Sequence, residues 1–75
     1  MEKSNLDLKS LKEKWGSAWI ARNQVGTFTG GLVAPRTMAN HDSFGTGPKR
    51  FKVKNKTGYQ VDDFLEWLEG HIKMA

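Results

Sequence analysis

Lys49-Arg50-Phe51-Lys52-Val53-Lys54-Asn55-Lys56-Thr57-Gly58-Tyr59-Gln60-Val61 is the stretch in which this chain changes from a helical period to a period of two. Arg50, Lys52 and Lys54 alternate with Phe51 and Val53, the pattern of a half-buried strand with one cationic edge. Asn55-Lys56-Thr57-Gly58 supplies turn residues, and Tyr59-Gln60-Val61 is expected to return as the partner strand. On this reading Phe51 and Val53 anchor the hairpin to a core, and the cations face outward. A lone hairpin is marginal in water, so this one must pack on helices.

Helical patterns flank it on both sides. C-terminally, Val61, Phe64, Leu65, Leu68 and Ile72 recur at helical spacing, with Trp67 widening the stripe. Asp62 and Asp63 open that helix and Lys73 closes it, as its dipole favours. N-terminally, Pro35 suits the first position of a short helix running to about Asp42, with Ala34 as a weak N-cap. Gly45-Thr46-Gly47-Pro48 then turns the chain into the hairpin. Before it, Asn23 to Thr29 is expected to form a first short helix with Val25 and Phe28 on one face. Gly26 there leaves room for a neighbouring backbone, and Gly30-Gly31 ends the helix. Leu8, Leu11 and Trp15 mark an N-terminal helical segment capped by Asp7 and closed by Gly16. Trp19 and Ile20 read as a buried lead-in to the next element.

Seventy-five residues make one domain, 1–75. It divides into an extension over 1–19 and a unit of helices with a hairpin over 20–72. A chain this short buries only about 60% of the surface its unfolded form exposes, so the large apolar side chains are expected in the core. Those are Trp15, Trp19, Phe28, Phe51, Tyr59, Phe64 and Trp67. The absence of cysteine excludes a disulfide scaffold and thiolate metal sites. No apolar run approaches the ~20 residues that span a bilayer, and the polar stretch from Met1 to Ser10 lacks the apolar centre of a leader. A cytoplasmic location and no membrane partner are expected. The net charge is +4, and five cations, Lys49, Arg50, Lys52, Lys54 and Lys56, fall between Ser43 and Val61 without one acid. Such segregation suits a polyanion, although lysines also serve plain solubility.

The fold class expected is mainly α with a small β-hairpin, α+β. Two short helices joined by a glycine turn form a helix-turn-helix, and the basic hairpin beside them forms a wing. From Gln24 to Leu68 the chain resembles the excisionase-like branch of the MerR-type winged helix-turn-helix proteins. The resemblance is carried by Gln24-Val25-Gly26-Thr27-Phe28-Thr29-Gly30, by Pro35-Arg36-Thr37-Met38, by Gly47-Pro48 with Arg50-Phe51-Lys52-Val53, and most specifically by Tyr59 with Asp63-Phe64-Leu65-Glu66-Trp67-Leu68. The turn from Gly30 to Ala34 is about two residues longer than the family's, and the family's aromatic late in the recognition helix is replaced here, at about His41. The resemblance implies duplex DNA binding by a small transcriptional regulator or a recombination accessory factor.

Arg36, Thr37 and Asn40 are the candidates for base contacts, since Arg pairs with guanine and Asn with adenine in bidentate geometry. The alternative is that they are ordinary solvated positions. Lys49, Arg50, Lys52, Lys54 and Lys56 are candidates for phosphate, with Arg22 and His41 as further ones. No cofactor or metal is expected, and no enzyme: His41-Asp42-Ser43 cannot converge as a triad from adjacent positions, Asp62 and Asp63 are better read as helix-start residues, and no Gly-Lys-Ser/Thr follows the glycines. Candidate partners are double-stranded DNA, a second copy in a weak or DNA-dependent oligomer, and a recombinase or RNA polymerase. The competing reading is a protein-interaction module; a third is single-strand binding by bases stacked on the aromatic side chains, whose periodic placement reads as core first.

Overall fold

In the computed structural model, which describes residues 7–72, helices pack on one side of a three-stranded antiparallel sheet in an α+β arrangement. Helix α1 spans Leu8–Trp15. The Asp7 carboxylate caps it by accepting from the Ser10 N–H and hydroxyl, at 3.2 and 2.6 Å, and Gly16 closes it at φ 79°. Strand β1 covers Trp19–Ala21, and Arg22–Gln24 forms a 3₁₀ turn leading into the single-turn helix α2, Val25–Phe28. Helix α3 spans Pro35–Phe44, β2 Phe51–Val53, β3 Lys56–Gln60 and α4 Val61–Gly70. Lys73, expected to close α4, lies outside the described residues.

The link from α2 to α3 is fixed by Thr29. Its buried hydroxyl donates to the Val25 carbonyl at 2.7 Å and accepts from the Val33 N–H at 3.1 Å. Gly30 and Gly31 take positive φ, which lets the chain reverse before Pro35. A Cβ on Gly26 would sit 3.7 Å from the Val33 carbonyl, an ordinary contact, so no unusually close backbone approach depends on that glycine.

Ile20, Val25, Phe28, Val33, Met38, Tyr59, Val61 and Phe64 form the core. Leu11, Trp15, Leu65, Trp67 and Leu68 close over it, and Trp15 and Phe64 each meet Phe28 edge to face. Helix α1 therefore contributes to the packing rather than trailing from it. The boundary expected after residue 19 falls inside β1.

The sheet corrects the expected hairpin in three ways. A third strand is present: β1 pairs with β3 through Trp19–Gln60, Ile20–Tyr59 and Ala21–Gly58. The turn is the tight Lys54-Asn55 pair, and Lys56, Thr57 and Gly58 belong to β3. The facing is reversed. Antiparallel partners share a face, and β2 pairs Phe51 with Gly58, Lys52 with Thr57 and Val53 with Lys56. Thr57 and Tyr59 are buried under the helices, so Lys52 lies on the helix side and Phe51 and Val53 on the outer side. Trp19, expected in the core, is 59% exposed on that outer side. Alternation reveals which residues share a face, but not which face a neighbour covers.

Candidate nucleic-acid interface

Helix α3 is amphipathic in an unusual sense: Met38 and Asp42 are its buried residues, and its other flank is polar and open. Arg36, Asn40 and Ser43 recur at i, i+4 and i+7 and share that exposed flank, with Thr37 beside them. The helix runs past Asp42 to Phe44, two residues beyond its expected end, before Gly45 closes it at φ 75°. Phe44 is 79% exposed one turn after Asn40. Nothing in the sequence pattern marks it, because Gly45-Thr46-Gly47-Pro48 reads as one continuous turn.

A buried polar cluster holds this helix in place. The Arg22 guanidinium donates to Asp42 Oδ2 at 2.6 Å, and the Tyr59 hydroxyl donates to the same oxygen at 2.6 Å. Arg22 Nε lies 3.3 Å from the Tyr59 hydroxyl. One carboxylate oxygen thus joins the 3₁₀ turn, α3 and β3, and a charge-assisted set of this kind is stronger than neutral hydrogen bonds. Burial pushes the Tyr59 phenol up to about 12; the Arg22 hydrogen bond pulls it down and the Asp42 carboxylate pushes it up. Hydrogen bonds to Tyr59 and Asp42 raise Arg22 above its usual range. Among the described residues, the other Asp42 oxygen is buried without a hydrogen-bond partner. Gly47 passes so close to that oxygen that any Cβ there would collide with it.

The candidate cations fall in different places. Arg50 and Lys52 line one shallow hollow with Arg22, Ala39, Asp42, Ser43 and Thr57, directly beside α3. Asn55 and Lys56 border a second hollow with Asn23 and Pro35. Residues of the hairpin thus share hollows with Pro35 at the start of α3 and with Ala39, Asp42 and Ser43 towards its end. Lys49 is exposed just before β2, next to Arg50. Lys54 occupies the hairpin turn at φ 57°, a region few non-glycine residues enter. Lys56 reaches the outer face of the sheet as well.

Two expected phosphate contacts are engaged inside the molecule. Arg22 is the partner of Asp42 and Tyr59, where a sequence without long-range pairing offered only a solvated or phosphate-bound arginine. His41 lies on the flank of α3 that meets α4. Its Nδ1 is 2.8 Å from the Thr46 hydroxyl, and its ring stands 5.1 Å from Trp67 and 5.4 Å from His71. The Trp67 indole N–H donates to the Thr46 carbonyl at 2.8 Å, so this aromatic group fixes the loop after α3. Among the described residues, no group of three or more acidic or histidine side chains stands close enough to hold a metal ion, and no helix is long and apolar enough to cross a membrane. The chain matches no protein-family model and no curated relative.

Proposed function

We propose that this chain binds double-stranded DNA as a winged helix-turn-helix domain, with α3 in the major groove and the β2–β3 hairpin along the adjacent phosphate backbone. One observation carries the reading: Ser43, at the C-terminal end of the open polar flank of α3, borders the same hollow as the cations Arg50 and Lys52. B-DNA offers a matching pair of features, a major groove about 12 Å wide that admits one helix and an anionic backbone at its lip. Arg36 and Asn40 are suited to guanine and adenine edges, and Phe44 to a thymine methyl group. Arg50 and Lys52, with Lys49 and Lys54 nearby, position the domain without reading sequence. The α2–turn–α3 unit and the flanking hairpin also support kinship with the excisionase-like and MerR-type proteins. A small cytoplasmic regulator, or an accessory factor that binds DNA beside a recombinase or RNA polymerase, fits this reading.

Titration with duplex DNA across salt concentrations tests the proposal. Neutralising four phosphates gives a log–log slope of about −4, and Arg50→Ala with Lys52→Ala reduces it by about two. Selecting bound sites from a random duplex library supplies a preferred sequence. Asn40→Ala then loses about 1–3 kcal/mol of discrimination with little change in binding to unrelated duplexes. Salt-independent binding, or selection that returns no preferred site, overturns the reading.

A further inference from the structure

The side of the sheet turned away from the helices is the more surprising surface. Trp19 is 59% and Val53 61% exposed there, and Phe51 lies half-buried on the same face. In a small domain that needs apolar burial, a tryptophan left in water calls for a reason. Phe51 is held by the bare backbone of β3: a Cβ on Gly58 would come within 2.9 Å of the Phe51 ring. Trp19 and Phe51 meet edge to face, their ring centroids 6.3 Å apart at 80°. They form a right-angled aromatic corner above Ala21 and Gly58, rimmed by Gln60 and Lys56. Among the described residues lining this hollow none is acidic.

We infer that this corner seats an unpaired base of single-stranded nucleic acid, on the opposite side of the sheet from α3. The indole offers a flat face for stacking, and Phe51 stands as a wall against the ring's edge. The Gln60 amide presents a donor and an acceptor to a base edge, and the Lys56 ammonium suits the neighbouring phosphate. Stacking on exposed aromatics beside cations is the general chemistry by which proteins hold single strands. Such a site needs only a few side chains. A standard protein interface needs about 20–30 residues a side, and three apolar side chains fall short of that. A second copy docked face to face would bring a second Lys56 to the same small patch with no acidic side chain among the lining residues to pair with either, which like-charge repulsion opposes. The site is independent of duplex binding by α3, and together the two would let one molecule hold a duplex and a displaced strand.

Fluorescence anisotropy with the full chain tests this, using labelled oligothymidine, oligouridine and an abasic strand of the same length and charge. The base-bearing strands are expected to bind about 5- to 150-fold tighter than the abasic one, the range that one stacked base supplies. The tighter of the two names the preferred nucleotide, thymidine or uridine. Trp19→Ala brings the preference close to unity, and Trp19→Phe retains part of it. Phe51→Leu keeps Gly58 covered but removes the aromatic wall, and lowers the preference. Arg36→Ala with Asn40→Ala leaves it unchanged while weakening selective duplex binding, so the two sites fail separately. Equal affinity for the abasic strand overturns the inference, as does a preference that survives Trp19→Ala in protein whose far-ultraviolet dichroism is native. A dimer seen by sedimentation and abolished by Trp19→Ala would assign the face to a second copy and overturn it too.

Discussion

The two faces of the β2–β3 hairpin are built from one alternating run, yet they present different chemistry. Toward α3 stand Arg50 and Lys52, beside a helix whose open flank carries Arg36 and Asn40. Away from α3 stand Phe51 and Val53, joined by Trp19 from the neighbouring strand β1, with Lys56 and Gln60 at the rim. The first face is polar and cationic and is held by a buried charge cluster. The second is aromatic and rests on the small residues Ala21 and Gly58. A residue's place in a period-two pattern thus decides its companions, and the packing of β3 decides their surroundings.

The contrast breaks most sharply at Asp42. Asp42→Ala removes the acceptor shared by Arg22 and Tyr59, and is expected to lower unfolding free energy by about 2–3 kcal/mol in urea titrations. At concentrations where the variant stays folded, duplex binding should fall while the outer aromatic face keeps its preference for base-bearing strands. If both fall together in folded protein, the faces are coupled. Gly47→Ala attacks the same cluster from the loop, because the new methyl group meets the Asp42 carboxylate. An overpacking penalty of about 1–3 kcal/mol is expected, again read by denaturation.

Alkaline pH gives a gentler test of the helix-side face. The Tyr59 phenol titrates near 10 when unfolded and is pushed up to about 12 in the fold. The folded protein therefore holds its proton more tightly than the unfolded chain. Stability from this group is complete below pH 10 and is lost as pH rises from 10 towards 12. Thermal melts should show that loss, and Tyr59→Phe should flatten this part of the profile. The smallest effect is expected at the hairpin turn. Lys54→Gly relieves the left-handed backbone and should raise stability by about 0.5–1 kcal/mol. It removes one cation without altering either face, so a matched small fall in duplex and single-strand affinity is expected.

Much of the helical frame was legible from residues. Asp7 and Gly16 bracket α1, Pro35 opens α3, Gly30-Gly31 turns the chain, and the stripe from Val61 to Leu68 forms α4. Each signal is local, arising from a cap, a fixed φ or a repeat of 3.6. Strand β1 gave no such signal, since three residues cannot establish a period and Trp19 read as core. Local sequence does not reveal the internal roles of Arg22 and His41, because their partners lie far along the chain or across a turn: Asp42 and Tyr59 for one, Thr46 and Trp67 for the other. Phe44 is exposed because α3 runs two residues past the end expected at Asp42, an extension that no repeat in the sequence marks.

By itself, the sequence determined the punctuation of the chain, the helical stripes, the concentration of cations between Lys49 and Lys56, and the alternation that makes Phe51 and Val53 companions. Tertiary structure alone decided which side of the hairpin meets the helices, because pairing with β1 and the burial of Tyr59 and Ile20 choose the covered face. Alternation is symmetric between inside and outside, and only contact with a partner breaks that symmetry.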